Sequence, residues 1–562
     1  MDDTDSLLSR VRIIVVDHLP VAAAFCRRIG LIQTVDRVVP TGMDVSVGTI
    51  VQGMVLDTLS GRSPLYRLEE FFERQDTRLL LGVEVQTTAF NDTTVARVMD
   101  ALYDAGAGKV FSEVAYQAAL RIPQDLRTVR WDSTSVNVWG DYRTAAAGSD
   151  GLVITHGYSK DHRPDLKQFL LDTLCVGRNV PLLGGCHDGN ASDKGLNNAL
   201  LTRISKDMAR HGLAEGDWVY VADSALVTEE NLQQVGGNLF VTRLPFSYAE
   251  ADRVVTEAVA AACWEHVGEL AETPATVHRP AARYRVAEKQ VKLYGKTYRA
   301  VVVHSSAHDK RRLKRIDRQI AQEADALAVL CRRQSRREFF CRADADAEAE
   351  RLQSQAGQFH RLDTAVIEAV RHPPGRPPRD RPRPISSVRY TIQGRPEPDP
   401  LRVARLRQEA GCFVLLSNVP AQGSHARTGP DLLRAYKDQH AIERNFSFLK
   451  DPLIVNDLFL KKPGRIEALG AILLISLLVW NLIEQSLRQH VQQTATALPG
   501  WDGKETLRPT AFMLTTKFAG LLILRIGERY RLAQPLRAVQ AAYLRALDIS
   551  LDDLLPAPTG PP

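Results

Sequence analysis

What this 562-residue sequence lacks narrows its class. It has no C-x-x-C pair: Cys26, Cys175, Cys186, Cys263, Cys331, Cys341 and Cys412 are scattered, which fits reduced thiols in a cytosolic protein and argues against a structural zinc site. It has no strong charge of one sign. A net +6, from 72 Lys and Arg against 66 Asp and Glu, is too mild to announce nucleic-acid binding, so local clusters carry more weight. It has no uncharged apolar run that matches a bilayer: 468–483, between Glu467 and Glu484, falls short of the roughly 20 residues a span needs and reads as a buried helix. The start, Met1-Asp2-Asp3-Thr4-Asp5, is acidic where a secretory leader is basic, so a cytoplasmic protein is expected. With 44% hydrophobic and 25% charged residues, the chain has the balance of a soluble protein with several cores.

What it does have is three acidic residues in settings that present a carboxylate. Trp218-Val219-Tyr220-Val221-Ala222-Asp223 predicts a strand buried on both faces, with its first polar group where the strand emerges. Open α/β sheets bind ligands at such carboxyl ends. Asp132 lies inside 128–138, a β-branched, partly alternating run closed by Gly140, and so on a second predicted strand. Glu443 belongs to Tyr436-x2-Gln439-x3-Glu443-x6-Lys450. Pro430 and Asp431 mark a helix start and Pro452 its stop. At about 100° per residue Tyr436, Gln439, Glu443 and Lys450 share a stripe beside the apolar Ile442, Phe446 and Leu449.

Taken singly, these are a strand Asp, a solvated Asp and a surface Glu of ordinary kind. Brought together, three carboxylates repel unless a cation neutralises them, and all-oxygen ligation suits Mg²⁺ or Mn²⁺. Two such ions activate a water or a 3′-hydroxyl and stabilise the leaving oxygen of a phosphodiester. Lys450 and Gln439, on the same stripe, suit a phosphate and a sugar or base edge.

These segments resemble the DDE transposases of bacterial insertion sequences, in the superfamily whose last motif is written Tyr-x2-Arg-x3-Glu-x6-Lys. The likeness lies in the Asp-Ser-Thr-Ser strand at Asp132, the Val-Ala-Asp-Ser-Ala-Leu segment at Asp223 and the helix at Glu443. His156-Gly157-Tyr158-Ser159-Lys160-Asp161-His162-Arg163-Pro164-Asp165-Leu166-Lys167-Gln168 also resembles the block between the aspartates in one subgroup, which has a long insertion before the glutamate. The resemblance implies an α/β fold: a ribonuclease H-like catalytic core with an inserted α+β domain, preceded by a mainly helical N-terminal domain. It implies Asp132, Asp223 and Glu443 as catalytic ligands of two Mg²⁺ (or Mn²⁺) ions, and DNA contacts at Tyr436, Lys450 and, beside the glutamate, Arg444. Gln439 stands where the signature has arginine. Lys160, His162, Arg163 and Lys167 are either a solvated face or a track for a phosphate backbone, and the resemblance favours DNA. The implied partners are double-stranded DNA, as terminal inverted repeats and target, and a second copy in a homodimer, with no membrane, in the bacterial cytoplasm at the nucleoid. A site-specific endonuclease without strand transfer is the alternative enzyme. A catalytically inactive DNA-binding remnant is the other, for which Gln439 leaves room.

The expected organisation is a helical region over 1–120, the first part of the core over 125–245, the insertion over 246–428, core helices over 429–490 and a helical cover with a Pro-rich tail over 491–562. In the first, Ser46 caps a helix through Val47, Ile50, Val51, Met54 and Val55, and a second, capped near Asp92, runs to Gly106. Such helices suit either a helix-turn-helix-like domain, with Arg62, Arg67, Arg74, Arg78 and Arg97 on phosphate, or a packing and dimerisation domain, and the resemblance favours recognition of the element's terminal repeats. Core strands are predicted at 152–155, 181–187 and 238–242, with a helix over 194–210. Cys186-His187-Asp188, with Asn190 and Asp193, has no second cluster at zinc spacing and reads as lying near DNA or on the sheet rim. In the insertion, 284–304 predicts a hairpin turning at Tyr294-Gly295, 411–419 a strand, and 310–358 a long exposed helix or helical hairpin. The basic runs 310–315 and 332–337 are a DNA clamp or a soluble face, and the Arg-Pro stretch 371–384 an extended loop or linker. Trp131, Trp139 and Trp218 either stack on a displaced base or fill the core.

Overall fold

A computed structural model describes residues 11–61, 67–139, 142, 151–177, 179–210, 212–270, 281–307, 310–355, 357–376, 381–438, 440–449, 460 and 462–555, without the side chains of 203, 310, 311 and 440–444. The fold is mixed α/β. It divides into two compact units, Met1–Thr242 with Gln422–His425 and Ala435–Pro562, and Arg243–Ala421 with Ala426–Arg434.

The first unit opens with strand β1 (Val11–Val15) and a group of helices. Helix α1 (Val47–Leu59) is capped by Ser46, whose Oγ accepts the Thr49 N–H at 3.2 Å, and every one of its residues is buried. Small residues permit that depth: a Cβ on Gly53 would press the Phe72 and Phe90 rings at 3.0–3.1 Å. A helix enclosed on all sides has no face for a DNA groove, so α1 is a core element. Helix α2 (Asp92–Asp104) is capped by Asn91, one residue before the expected Asp92, and buries Val95, Val98, Met99 and Leu102; helix α3 (Ala107–Arg121) follows. Of the arginines read as phosphate contacts, Arg78 is buried in an ion pair with Glu528 and Arg67 lies 3.8 Å from Glu70. Arg74 and Arg97 are exposed, and Arg62 lies outside the described residues.

The sheet of this unit comprises β2 (Thr128–Val138), β3 (Lys167–Val176), β4 (Val180–His187), β5 (Val219–Ala222) and β6 (Leu239–Leu244), in the order β4-β3-β2-β5-β6, with helix α4 (Asp193–Arg210) between β4 and β5. The β4-β3-β2 pairings are antiparallel, and β2-β5 and β5-β6 are parallel. The predicted strand at 152–155 reduces to a single bridge, Thr155 to Gln168. The true neighbour is β3, which is buried from Gln168 to Val176 although its start belongs to the basic stretch. Burial on both faces removes the alternation that marks a half-exposed strand.

The second unit carries β7 (Glu265–Glu269), β8 (Arg283–Leu293) and β9 (Lys296–Ser305), with Tyr294 and Gly295 both at positive φ in the β8–β9 turn. Helix α5 (Lys310–Gln334), strand β10 (Glu338–Phe339) and helix α6 (Arg342–Gln353) pack on a ribbon of β11 (His360–Arg371) and β12 (Ser387–Pro398). Leu327, Cys331, Phe339, Leu352, Leu362 and Ile392 form their core. The Arg-Pro stretch is the connecting loop of a hairpin, with 377–380 outside the described residues. Strand β13 (Cys412–Ser417) pairs antiparallel with β9.

Back in the first unit, α7 (His440–Leu449) carries Glu443, and α8 (Pro463–Thr494) contacts α1, α2, α3, α7 and β4. By length and composition α8 would cross a membrane, yet 83% of its most apolar window is buried inside the protein. Gly470 lets it approach β4, since a Cβ there would collide with the Cys186 sulfur; Arg465 clamps it to Asp100 through two 2.7 Å hydrogen bonds. The expected helical C-terminal cover includes a hairpin, β14 (Leu522–Ile526) and β15 (Arg529–Leu532), turned at Gly527 with φ +58°. β14 pairs with β1 from Val11–Ile526 to Val15–Leu522, so two segments some 500 residues apart share a sheet. A strand of five residues shows no pattern of its own until its partner is known.

Asp76 seals that junction. It is fully buried, its Oδ1 accepts the Leu79 N–H and the Tyr530 hydroxyl, each at 2.8 Å, and its Oδ2 accepts Arg525 at 2.8 Å. Asp76→Ala leaves a buried hydroxyl and a helix start without acceptors, and is expected to lower stability by about 2–4 kcal/mol, measured by chemical denaturation. A loss below about 0.5 kcal/mol would remove Asp76 from the account.

Candidate active site

The parallel pairing of β2 with β5 brings the two aspartates together. Its register runs Thr128–Val219, Val129–Tyr220, Arg130–Val221; two further steps along each strand reach Asp132 and Asp223. Adjacent strands lie ~4.8 Å apart, so these residues stand side by side where β5 ends, while β2 runs on to Val138. Asp223 leaves β5 in extended backbone, and its Oδ1 accepts the Ala225 N–H at 2.9 Å. Asp132 accepts the Ser133 N–H at 2.8 Å. Burial pushes the Asp132 carboxyl up to about 6, against the pull of Lys160 and the Ser133 N–H, with the charges of Asp223 and Asp193 adding to the rise. Burial also raises Asp223, and the Asp193 charge adds to it. Both carboxyls are thus harder to ionise than free aspartates, chiefly because they are buried.

A third acid completes the described cluster. Asp193 opens α4, and its Oδ1 accepts the Ser133 hydroxyl at 2.6 Å. In the sequence Asp193 groups with His187 and Asp188, and only the folding of α4 against β2 turns it toward Asp132. Its one local signal is its place in the first helical turn, where an acid is common for reasons of dipole alone. Lys160 lies among these groups, 3.6 Å from Asp132 and 3.2 Å from Asp193. The other basic residues of that stretch point elsewhere. Arg163 makes two hydrogen bonds to Asp165, at 2.7 and 2.9 Å, and stacks 5.2 Å over Trp139; Lys167 donates to the Tyr142 carbonyl; His162 is exposed. Trp131 and Trp218 are core residues, Trp131 donating to Asp172 at 2.9 Å, while Trp139 is half exposed. His187 lies 3.1 Å from that same Asp172, and Asp188 accepts the Val153 N–H at 2.8 Å.

The Glu443 helix is anchored beside them. α7 contacts β2, and Asn445, two residues beyond Glu443, is buried with its Nδ2 donating to the Asn179 carbonyl at 2.9 Å and to the Cys175 sulfur at 3.3 Å. Asn481 of α8 donates to both the Asn179 carbonyl and Asn445 Oδ1, and Phe448 rests on Trp480 with ring centres 5.3 Å apart. This network ties α7 to β3, to the β3–β4 turn and to α8. The single helix expected over this motif is two, Gly429–Lys437 and His440–Leu449, with Asp438 in a turn. Tyr436 is half-buried in the first helix. Gln439 and Lys450 lie outside the described residues, as do the side chains of Glu443 and Arg444.

Among the described residues no group of three His, Cys, Asp or Glu is set to hold a metal ion. Asp132 and Asp223 nonetheless offer adjacent, undercompensated oxygens, the donor chemistry of a hard divalent cation.

The raised Asp132 has a consequence for stability. The folded state holds its proton more tightly than the unfolded chain, so this contribution is full below pH 3.8 and is lost as pH rises through about 6. At pH 7 the ionised carboxylate costs about 2–3 kcal/mol. Without divalent ions, Asp132→Asn is therefore expected to unfold at a higher temperature than wild type at pH 7.5, with the difference closing near pH 4. Identical melting curves at both pH values would contradict that account.

A family model described as a domain of unknown function, DUF4277, matches residues 11–116. No curated protein matches the chain. The likeness covers β1 through most of α3 and stops before Asp132.

Proposed function

We propose that the protein is a DDE transposase: it binds the terminal inverted repeats of its own element, cleaves DNA there and joins the freed 3′-hydroxyl to target DNA. The observation that carries the reading is the side-by-side placement of Asp132 and Asp223 on parallel strands, with the Glu443 helix anchored on β2. The order β4-β3-β2-β5-β6, with β3 running against the other four, supports a ribonuclease H-like core, and the separate second unit supports an insertion before the glutamate.

In this reading Asp132 and Asp223, with Glu443 from α7, hold Mg²⁺ or Mn²⁺. Two bound ions would supply a nucleophile at neutral pH and offset charge on the phosphodiester. The protein's own part is electrostatic and positional. Paired carboxylates at a sheet end concentrate negative charge where cations are needed, and Asn445 and Asn481 fix the angle at which α7 meets β2. Rigid strands and a pinned helix keep ligands within the narrow tolerance that phosphoryl chemistry demands. Tyr436, Gln439, Arg444 and Lys450 are proposed to meet the DNA, and a second copy to hold the other end.

Labelled DNA carrying the repeats that flank its gene, incubated with full-length protein and Mg²⁺, Mn²⁺ or EDTA, tests this. Metal-dependent cuts at the repeat boundary are expected, lost in Asp132→Ala, Asp223→Ala and Glu443→Ala while end binding persists. Binding without cutting under every metal supports a DNA-binding remnant instead, and cutting without strand transfer a site-specific endonuclease.

A further inference from the structure

We propose that Lys160 is the resident counter-cation of the carboxylate site, that Asp193 is a member of that site, and that a divalent ion enters by displacing the ammonium from Asp132. This rests on the reading of Asp132 and Asp223 as metal ligands.

Lys160 is fixed at both ends. Its backbone N–H donates to Ser135 Oγ at 3.1 Å, and its ammonium donates to the Ser133 carbonyl at 2.8 Å and to Ser133 Oγ at 3.0 Å, so residues on β2 beyond Asp132 hold the whole side chain. The ammonium also stands 3.2 Å from Asp193 Oδ2, 3.4 Å from Asp193 Oδ1 and 3.6 Å from Asp132 Oδ1. A lysine has three N–H donors. Here they face a carbonyl, a hydroxyl and two carboxylates, so none is left for a DNA phosphate in this arrangement. Ser133 and Ser135 are buried, and Ser133 donates in turn to Asp193, closing a ring of Lys160, Ser133 and Asp193.

The ring explains how acids gather at a strand end before any metal arrives. One positive charge sits among three carboxylates and leaves them still undercompensated, which invites a cation of higher charge. A divalent ion on Asp132 competes with the ammonium for the same carboxylate, and like charges at such range repel strongly. Lysine sits on a flexible stem, so its head can leave while its backbone stays bonded to Ser135. Once displaced, the ammonium has free donors at the mouth of the site, where a phosphate of bound DNA would lie. The exchange couples cation loading to DNA engagement through one side chain.

The test is Mn²⁺ binding to the full-length protein without DNA, read from free Mn²⁺ by electron paramagnetic resonance. Lys160→Met is expected to bind Mn²⁺ roughly tenfold more tightly than wild type, because a competing charge is gone. Asp193→Asn is expected to bind it roughly tenfold more weakly, since it removes an acid and leaves the ammonium to Asp132. Far-UV circular dichroism checks the fold of each. Should Lys160→Met not fold, Lys160→Gln and the nearly isosteric Asp193→Asn decide the matter. Unchanged or weaker binding in the folded lysine variants, or no effect of Asp193→Asn, overturns the proposal. If Asp132→Asn still abolishes wild-type binding in that case, the metal-site reading stands without it. If wild type binds no Mn²⁺, both fall together.

Discussion

The parallel hydrogen bonding of β2 to β5 is the constraint on which the site depends. It places two aspartates from opposite ends of a 91-residue stretch on neighbouring strands at the same level. Ionising buried carboxyls costs free energy, and burial is the main reason that Asp132 and Asp223 are raised, with neighbouring acids adding to it. Structure elsewhere in the unit offsets it. The buried sheet, the packed α8 and the asparagine network around Asn445 hold the elements around the two aspartates in place.

Rigidity comes from an arrangement in which distant parts of the chain complete one another. α8 is apolar enough for a membrane, yet its partners are the N-terminal helices on one side and β4 on another. Gly470 and the Arg465–Asp100 pair set its depth and register. The Asp76 node binds the C-terminal hairpin to the segment that carries β1 and α1. The matched DUF4277 region therefore does not close its own core, because β1 takes its neighbour from β14 and α1 packs against α8.

Charge distribution separates what the basic residues do from what their clustering suggests. Lys160, Arg163 and Lys167 stand close together in the chain and diverge in space, to a carboxylate cluster, a neighbouring aspartate and a backbone carbonyl. Arg78 turns inward to Glu528. Local composition measures the amount of charge, and folding decides which of it faces solvent. The proposed exchange at Lys160 makes such a contact provisional, held by two serines until a stronger cation competes.

By itself the sequence determined the elements whose pattern is local. The apolar run ending at Asp223, the β-branched strand around Asp132, the Ser46 cap, the Tyr294-Gly295 turn and the long helices after 310 all stand where propensity and periodicity put them. The run 468–483 reads as a buried helix from its 16 uncharged residues, but the whole of α8 is long and apolar enough to cross a membrane, and only its packing shows that it is buried. Tertiary structure alone decided the rest. β3 carries no alternation because both its faces are covered, β1 and β14 are too short to declare themselves without each other, and a turn at Asp438 divides one expected helix into two. Asp193 joins the site only through the packing of α4, and Lys160 only through hydrogen bonds to β2. These are contacts between residues far apart in the chain, and no local pattern encodes the energy of a pairing whose other half lies elsewhere.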